Sequence, residues 1–286
     1  TLPDKSIRDL DNGSSGFDLA NDIGPGLAKA AVAVTVDGVQ RDLHDPIMHD
    51  ANISIITIDS EEGLEIMRHT LAAQVLARAV KNLYPKSKLA IGPTIKDGFY
   101  YDVECKETIS IDDLKKIEKE MDKIVKTKSS ITKKLLSKKD ALKVFKDKDE
   151  SYKEEIINDS DQEDEFQLYY QDDEDFVDLC KGPHLPNLNF IGAYKLTTIS
   201  GAYWKGDSSN TMLTRIYGTA WSNEKDLNEH LNNIEEAQKR DHRKLGKEMD
   251  LFHFQDEAPG MVFWHPNGWS IYRNLRNFVR KRLQEN

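Results

Sequence analysis

Cysteine is scarce in this chain, because only Cys105 and Cys180 occur among its 286 residues. Two cysteines are too few for a disulfide framework, so the sequence favours a reducing compartment and we expect a cytoplasmic protein. Long apolar runs are also missing, and no stretch approaches the roughly 18 to 20 apolar residues of a membrane span. No basic and then apolar signal segment is present. We therefore expect neither membrane insertion nor secretion.

Several familiar catalytic signatures are missing too. The sequence has no Gly-rich phosphate loop, no Ser-His-Asp order and no Cys-x-x-Cys pair. Its net charge of −10 argues against a general nucleic-acid binder. RNA binding stays possible because the charge is uneven, with acidic residues crowding 159–175 and basic residues crowding 126–148 and 239–247. We interpret 159–175 and 126–148 as solvated surface.

The first 59 residues have the pattern of a small separate domain. Residues 1–10 could form a strand, 17–31 a short helix broken by Gly-Pro-Gly, and 53–58 a closing strand. Between them, the Asp37-Gly38 turn signal between alternating valines predicts a hairpin. Strand, helix and hairpin in this order predict a compact α+β unit.

A long amphipathic helix is predicted next, from about Glu61 to Leu83, with Asp59 in the capping box at its start. Its inward stripe consists of Leu64, Met67, Leu71 and Val75. His69 and Ala73 lie on a neighbouring face, one turn apart. The helix therefore presents position 69 and position 73 in the same direction.

The remaining chain mixes predicted strands and helices. Helices are expected from Ser110 with Leu114, Ile117, Met121 and Ile124 inward, after Ser137, over 224–249, and at the end, where the helix carries Ile271, Leu275, Phe278 and Leu283 but has no sheet to cover. Strands are expected within 89–103, 166–171, 176–180, 193–207 and 211–221. Together these elements predict an α+β fold class.

One spacing stands out for its chemistry, because Cys180 and His184 lie four residues apart with Gly182 and Pro183 between them. Gly-Pro excludes an ordinary helix there. A turn that folds the thiol and the imidazole toward one point would explain the pair. His69 is the third candidate member of this group.

The residues alone leave four interpretations of this group open. Three N and S ligands resemble a catalytic zinc site with an open fourth position. A cysteine with a histidine could be a nucleophile and its base. The imidazoles could hold and polarise a water, with Asp178 orienting one of them. The fourth interpretation is a buried structural cysteine beside two ordinary surface histidines.

Aromatic and basic residues near predicted turns are candidates for RNA binding. Tyr100 and Tyr101 follow a turn, and Tyr203 and Lys205 belong to a stretch that alternates aromatic and charged residues. Aromatic rings stack on bases, and lysines neutralise phosphates. The competing interpretation of each residue is core or solvated rim.

Long runs of this sequence resemble bacterial-type threonyl-tRNA synthetases. The matching runs are IGPGLAKA, SIIT, EEGLEIMRH, LAIGPTIKDGFYYDV, DLCKGPH, SGAYWKGDS, RIYGTAW, KRDHRKLGK and DLFHFQDEAPGMVFWHPNGW. The resemblance implies a β-grasp TGS domain over 1–59 and an α+β editing domain, with a mixed sheet packed by helices, over 60–223. It also implies a linker helix over 224–242 and the truncated start of a class II catalytic domain over 243–286.

The resemblance also implies a function, the hydrolysis of mischarged seryl-tRNA(Thr). One methyl group separates serine from threonine and supplies only about 1–3 kcal/mol of discrimination, so a second site must hydrolyse the wrong ester. The implied partner is the acceptor end of tRNA(Thr), and the full-length protein is expected to be a homodimer. We expect no aminoacylation and no cofactor in this part of the protein, with ATP, Mg and Zn used only by the full-length catalytic domain.

The resemblance assigns roles to particular residues. The implied catalytic group is His69, Cys180, His184, Asp178 and Lys153, without a metal. The implied substrate-binding residues are Tyr100, Tyr101, Tyr203 and Lys205. The family has a second histidine where this chain has Ala73, so impaired editing is expected. The alternative functions are a non-catalytic module that holds the tRNA acceptor arm and a zinc-dependent hydrolase.

Overall fold

The computed structural model describes residues 1–172 and 176–285. The chain divides into two compact units, Thr1–Leu227 and Asn228–Asn286. The last residues of the acidic run, 173–175, lie outside the described part. None of the helices within that part is long and apolar enough to cross a membrane.

The first domain contains two short helices and a three-stranded sheet. Its elements are α1 (Gly16–Ile23), α2 (Pro25–Ala30), β1 (Ala31–Val36), β2 (Val39–Asp42) and β3 (Ile53–Thr57). The strand order is β2-β1-β3, and both pairings are antiparallel. The predicted hairpin is confirmed, since Asp37 and Gly38 both have the positive φ of a tight hairpin turn. The predicted strand over 1–10 is wrong, because the Lys5 amide bonds the Leu2 carbonyl and turns the chain back.

The long helix that follows has the predicted bounds but not the predicted regularity. It consists of α3 (Glu61–Thr70), a π-helical segment (Leu71–Leu76) and α4 (Ala77–Leu83). Its cap is Ser60 rather than Asp59, because the Ser60 hydroxyl accepts the Gly63 amide proton. The apolar stripe is confirmed, with Leu64 half-buried and the other three residues fully buried. A π turn widens the helix by about one residue, which changes the direction of the side chains after Thr70.

The rest of the first unit is built around two further sheets. Its strands are β4 (Lys88–Leu89), β5 (Thr94–Ile95), β6 (Gly98–Glu104), β7 (Ile131–Leu136), β8 (Phe166–Gln171), β9 (Val177–Leu179), β10 (Ala193–Tyr203) and β11 (Met212–Trp221). Its helices are α5 (Leu114–Thr127), α6 (Lys138–Asp147) and α7 (Ser151–Asn158). One sheet has the order β10-β11-β6-β4 with β5 against β6, and the other has the order β7-β8-β9.

The α+β class is confirmed, whereas the mixed sheet expected for this region is wrong. Every pairing within these two sheets of the described chain is antiparallel. Short connections such as the one from Ile95 to Gly98 join neighbours as hairpins, and hairpins make antiparallel pairs. The helix predicted after Ser110 is confirmed with its capping box and all four inward residues. Strand β7 and helix α7 were not predicted, because their sequences are rich in lysine and glutamate.

The second unit has its own small sheet and helices. Its elements after α8 (Glu224–Lys239) are α9 (His242–Glu248), β12 (Phe252–His253), β13 (Phe263–Trp264) and α10 (Pro266–Glu285). The single helix predicted over 224–249 is wrong, because Asp241 caps a new helix by accepting the Arg243 amide proton. The final helix is confirmed.

Candidate active site

Three different elements carry the side chains of the candidate site. His69 lies one residue before the end of α3, Cys180 directly follows β9, and His184 follows the Gly182-Pro183 turn. Gly182 has a φ of +67°, and a Cβ there would lie 2.0 Å from the Tyr169 hydroxyl oxygen. Only glycine fits this position, which explains how the loop turns so sharply between the cysteine and the histidine.

The structure brings His69, Cys180 and His184 together. The distance from His69 Nε2 to Cys180 Sγ is 2.7 Å. The two imidazole rings stack at 4.6 Å between centroids, with 10° between their planes. One ligand atom from each of the three residues lies within 4.8 Å of the others. They form the one cluster of at least three potential metal-ligating side chains within residues 1–172 and 176–285.

The hydrogen bonds around Thr70 determine the tautomer of His184. The Thr70 hydroxyl donates to the Ile66 carbonyl at 2.8 Å and accepts the Leu185 amide proton at 3.0 Å. His184 Nδ1 lies 3.2 Å from the same oxygen and is therefore its proton donor. His184 Nε2 is then a lone-pair acceptor that is buried and has no hydrogen-bond partner within the described chain. An orphaned buried acceptor of this kind is costly unless a ligand or a water uses it.

Burial keeps the members of this group neutral at pH 7. It lowers the pKa of His69, although the charge of Asp178 opposes the shift. It lowers the pKa of His184 well below the usual range, and the neighbouring His69 adds to this effect. Burial also raises the pKa of the Cys180 thiol to about 12. A protonated thiol is a poor nucleophile, but it can still act as a weak hydrogen-bond donor to a neutral imidazole.

A second buried group lies next to the first, around Asp178 on β9. Its Oδ1 atom pairs with Lys153 Nζ at 2.6 Å and accepts the Leu179 amide proton at 2.8 Å. Its Oδ2 atom accepts the Tyr101 hydroxyl proton at 2.8 Å. Asp178 therefore bonds these groups and not an imidazole, contrary to the expectation that it orients one. It acts on His69 as a nearby negative charge.

The predicted substrate-binding residues do not form one surface. Tyr101 is completely buried, so its ring offers no face to a base. Tyr100 is half-buried, and the Arg215 guanidinium lies 3.9 Å from the centre of its ring. Tyr203 is 44% exposed at the end of β10. Lys205 pairs with acidic residues of α7 and its C-terminal end.

Ala73 lies in the π-helical segment, is only 2% exposed, and belongs to the main hydrophobic core. The expectation of a shared face with His69 assumed a regular α-helix. Because Ala73 is buried in the core, a histidine at position 73 would also be buried, as His184 is, and it would displace core neighbours.

A cleft of about 230 Å³ opens beside His69. Its lining residues are Gln40, Glu65, Ile66, His69, Pro93, Thr94, Gly182 and Pro183. A larger cavity of about 650 Å³ lies in the first domain, and none of the three clustered side chains lines it. The smaller cleft is the candidate substrate site, because His69 of the cluster lines it.

Three residues around this site were not predicted, namely Thr70, Tyr169 and Asp42. Thr70 looks like an ordinary helix residue, and only its contact with the distant loop gives it a role. Asp42 Oδ1 accepts the His184 amide proton across 142 residues of sequence. No local pattern signals a contact between positions so far apart.

Two family models match parts of this chain. The TGS domain model matches residues 1–57. The model described as "Threonyl and Alanyl tRNA synthetase second additional domain" matches residues 167–217. The second match includes Asp178, Cys180 and His184 of the candidate site.

Curated relatives extend the similarity to the whole chain. It is 49% identical to the threonine–tRNA ligase of Prochlorococcus marinus (strain MIT 9211), and 47% and 46% identical to those of Psychrobacter arcticus and Psychrobacter cryohalolentis. Each similarity covers all 286 residues of this chain and 44% of the relative. The chain thus spans less than half the length of these relatives, and its resemblance to threonyl-tRNA synthetases is confirmed.

Proposed function

Since this chain is similar along its whole length to threonine–tRNA ligases, we propose that it binds the acceptor end of tRNA(Thr) and hydrolyses mischarged seryl-tRNA(Thr). The observation that carries this proposal is the buried, unpartnered Nε2 of His184, which lies against His69 in a cluster that borders a cleft. A neutral imidazole with a free lone pair can hold a water and accept a proton from it.

In the proposed reaction, water attacks the carbonyl carbon of the seryl ester. His184 Nε2 accepts the proton as the new C–O bond forms. The ester C–O bond to the ribose then breaks, and the proton passes to the ribose oxygen that leaves. Serine and tRNA with a free terminal hydroxyl are the products, so atoms and charge balance.

The other members of the site orient and support this step. The Cys180 thiol donates to His69 Nε2 and fixes that ring against His184. A hydrogen bond to the Gly92 backbone holds His69 in addition. Lys153 and Tyr101 hold Asp178, which keeps the strand before Cys180 in place. In this proposal, the cleft beside His69 accepts the seryl side chain and excludes the extra methyl group of threonine sterically.

Ala73 makes the proposed hydrolysis slow. A histidine at this position would add a second group that can bind water or accept a proton, whereas a methyl group can do neither. The site then still binds the seryl-adenosine end of the tRNA, but it hydrolyses the ester much more slowly than a site with histidine at position 73.

The wider assignments follow from the relatives and stay proposals. The 286 residues alone are not expected to aminoacylate, since the activation of threonine with ATP, Mg and Zn is assigned to further parts of the ligase. A homodimer and a cytoplasmic location are proposed for the full-length protein.

Deacylation of labelled seryl-tRNA(Thr) tests the proposed function. The unmodified chain should exceed the rate without protein, and His184→Asn should lose that excess while its circular dichroism spectrum stays unchanged. Asparagine keeps a hydrogen-bond donor and acceptor but accepts no proton. Binding of tRNA without turnover in the unmodified chain and in Ala73→His would support the non-catalytic acceptor-arm module instead.

A further inference from the structure

Asp42 is the last residue of β2 in the first domain, yet its carboxylate contacts the loop that carries His184. Oδ1 accepts the backbone amide proton of His184 at 2.9 Å. Oδ2 accepts the hydroxyl proton of Tyr169 at 2.7 Å and pairs with Lys133 Nζ at 2.8 Å. One side chain of the first domain therefore uses both of its oxygens to bind residues of the region 60–223, which the resemblance assigns to an editing domain.

Tyr169 connects this carboxylate to the imidazole of His184. The two rings meet edge to face, with 4.4 Å between their centroids. The Tyr169 hydroxyl also occupies the space that a Cβ at Gly182 would need. Asp42 thus fixes the backbone of His184 directly, and fixes the ring that packs on the imidazole through the tyrosine hydroxyl.

Gln40 provides an independent link between the first domain and the site. It lies two residues before Asp42 on the same strand, and side chains two residues apart point to the same face. Gln40 lines the cleft together with His69, Gly182 and Pro183. The face of β2 that carries the Asp42 carboxylate therefore also forms a wall of the cleft.

We propose that strand β2 of the first domain completes the editing site, with Asp42 as a positioning residue for His184 and Gln40 as a wall residue of the substrate cleft. This inference rests on the proposed function, because the cleft is taken to bind the seryl end of tRNA. The two domains then act as one site, and the first domain is required for the orientation of the group that handles the proton.

Asp45 offers a matched control. Asp45 pairs with Lys133 Nζ at 2.5 Å, and this is the lysine that also pairs with Asp42. The carboxylates of Asp45 and Asp42 are both half-buried. Within the described part of the chain, the Asp45 carboxylate bonds the lysine and not the loop that carries His184. Loss of Asp45 therefore removes one ion pair from the same lysine while the hydrogen bonds to His184 and Tyr169 remain.

The test compares Asp42→Ala, Asp42→Asn, Tyr169→Phe, Gln40→Ala and Asp45→Ala in the full 286-residue chain. The probe is a seryl-adenosine analogue with an amide in place of the ester, and its affinity is measured by calorimetry. The ring nitrogens of His184 are observed by ¹⁵N NMR without the analogue, which reports the tautomer. The circular dichroism spectrum and thermal unfolding of each variant show whether it folds.

We expect Asp42→Ala and Gln40→Ala each to weaken analogue binding at least tenfold, and Asp45→Ala to weaken it less than twofold. Asp42→Ala and Tyr169→Phe should shift the His184 ring signals, whereas Asp45→Ala should not. Asp42→Asn keeps an acceptor for the His184 amide, so it should restore part of the affinity that alanine loses.

Two different failures are distinguishable. If the unmodified chain does not bind the analogue, the proposed function fails, and the His184 signals still test the role of Asp42. If the unmodified chain binds it but Asp42→Ala binds equally well with unchanged His184 signals, the positioning role is wrong. If Asp42→Ala does not fold, the signals of Tyr169→Phe and Asp42→Asn decide the same question.

Discussion

The Nε2 atom of His69 lies 2.7 Å from the Sγ atom of Cys180, although 111 residues separate them in sequence. Burial raises the pKa of the thiol to about 12 and lowers the pKa of the imidazole, so the two side chains meet as a neutral pair. Nucleophilic cysteines instead form a thiolate–imidazolium pair, in which both side chains are charged. The contact therefore favours a holding role for Cys180 over a nucleophilic one, which is the role that the proposed hydrolysis by water assigns to it.

The reactivity of Cys180 provides the first prediction. Since its pKa is about 12, the thiolate fraction should rise about tenfold per pH unit throughout the range from pH 7 to pH 9. Alkylation by iodoacetamide, followed by mass spectrometry in a Cys105→Ser background, should show this slope without a plateau. A rate that levels off near neutral pH would indicate a thiolate nucleophile and contradict the assignment.

The two histidines give the second prediction, which concerns stability and pH. Their folded-state pKa values lie below the usual value of about 6.5, so the unfolded chain binds more protons as the pH falls below 6.5. The free energy of unfolding should therefore decrease from pH 7.5 to pH 5 because of these groups. Urea unfolding of the unmodified chain and of His184→Gln at both pH values measures this. An equal decrease in the variant would show that His184 is not buried in its neutral form.

The buried pair of Lys153 and Asp178 gives the third prediction. Lys153→Met removes the cation and leaves the carboxylate with neutral donors only, which should cost about 3–5 kcal/mol of unfolding free energy. Lys205→Met is the control, because Lys205 forms exposed pairs that are each worth about 1 kcal/mol or less. Similar losses in the two variants, measured by urea unfolding, would contradict the structural role of the buried pair.

The fourth prediction concerns metal content. Three ligand atoms converge in the site, but alanine occupies the position of the fourth candidate ligand, and binding would require deprotonation of a thiol whose pKa is about 12. We expect elemental analysis of the purified chain to find no stoichiometric zinc. One equivalent that survives dialysis, and that Cys180→Ser abolishes, would favour the zinc-dependent hydrolase.

Much of the fold could be predicted from local patterns in the sequence. The Asp37-Gly38 hairpin, the capping box of Ser110 and the core stripe of the long helix each depend on neighbours within a few residues. The strand expected over 1–10 failed because a local hydrogen bond at Lys5 turns the chain back. The helix over 224–249 failed because Asp241, which looks like one more polar surface residue, caps a new helix.

The candidate site was predictable only in part, for a different reason. The Cys180 and His184 spacing signalled a turn, His69 was the third candidate from the sequence, and the resemblance assigned all three residues to one site. The π-helical segment after Thr70 leaves no mark in composition, so the burial of Ala73 could not be foreseen. The contacts of Asp42 and Thr70 with the His184 loop join positions more than a hundred residues apart, and a pattern within a single sequence does not report such pairs.

The fifth prediction concerns position 73. Ala73→His adds a buried imidazole one helical turn after His69 in sequence, and in the proposed function this group acts as a general acid or base, which typically contributes about 10²–10⁴ in rate. The rate of ester hydrolysis should rise at least tenfold. The same substitution should lower the free energy of unfolding by about 1–3 kcal/mol, because the larger side chain enters a packed core.

The most direct test of the whole account is the rate at which the unmodified chain and Ala73→His deacylate seryl-tRNA(Thr), with threonyl-tRNA(Thr) as the competing ester. We expect slow hydrolysis of the seryl ester by the unmodified chain, at least tenfold faster hydrolysis by Ala73→His, and no hydrolysis of the threonyl ester by either protein. An unchanged rate in Ala73→His, with activity abolished by His69→Ala or Cys180→Ala, would contradict the role of position 73. Absence of seryl-ester hydrolysis in both proteins would contradict the editing function itself.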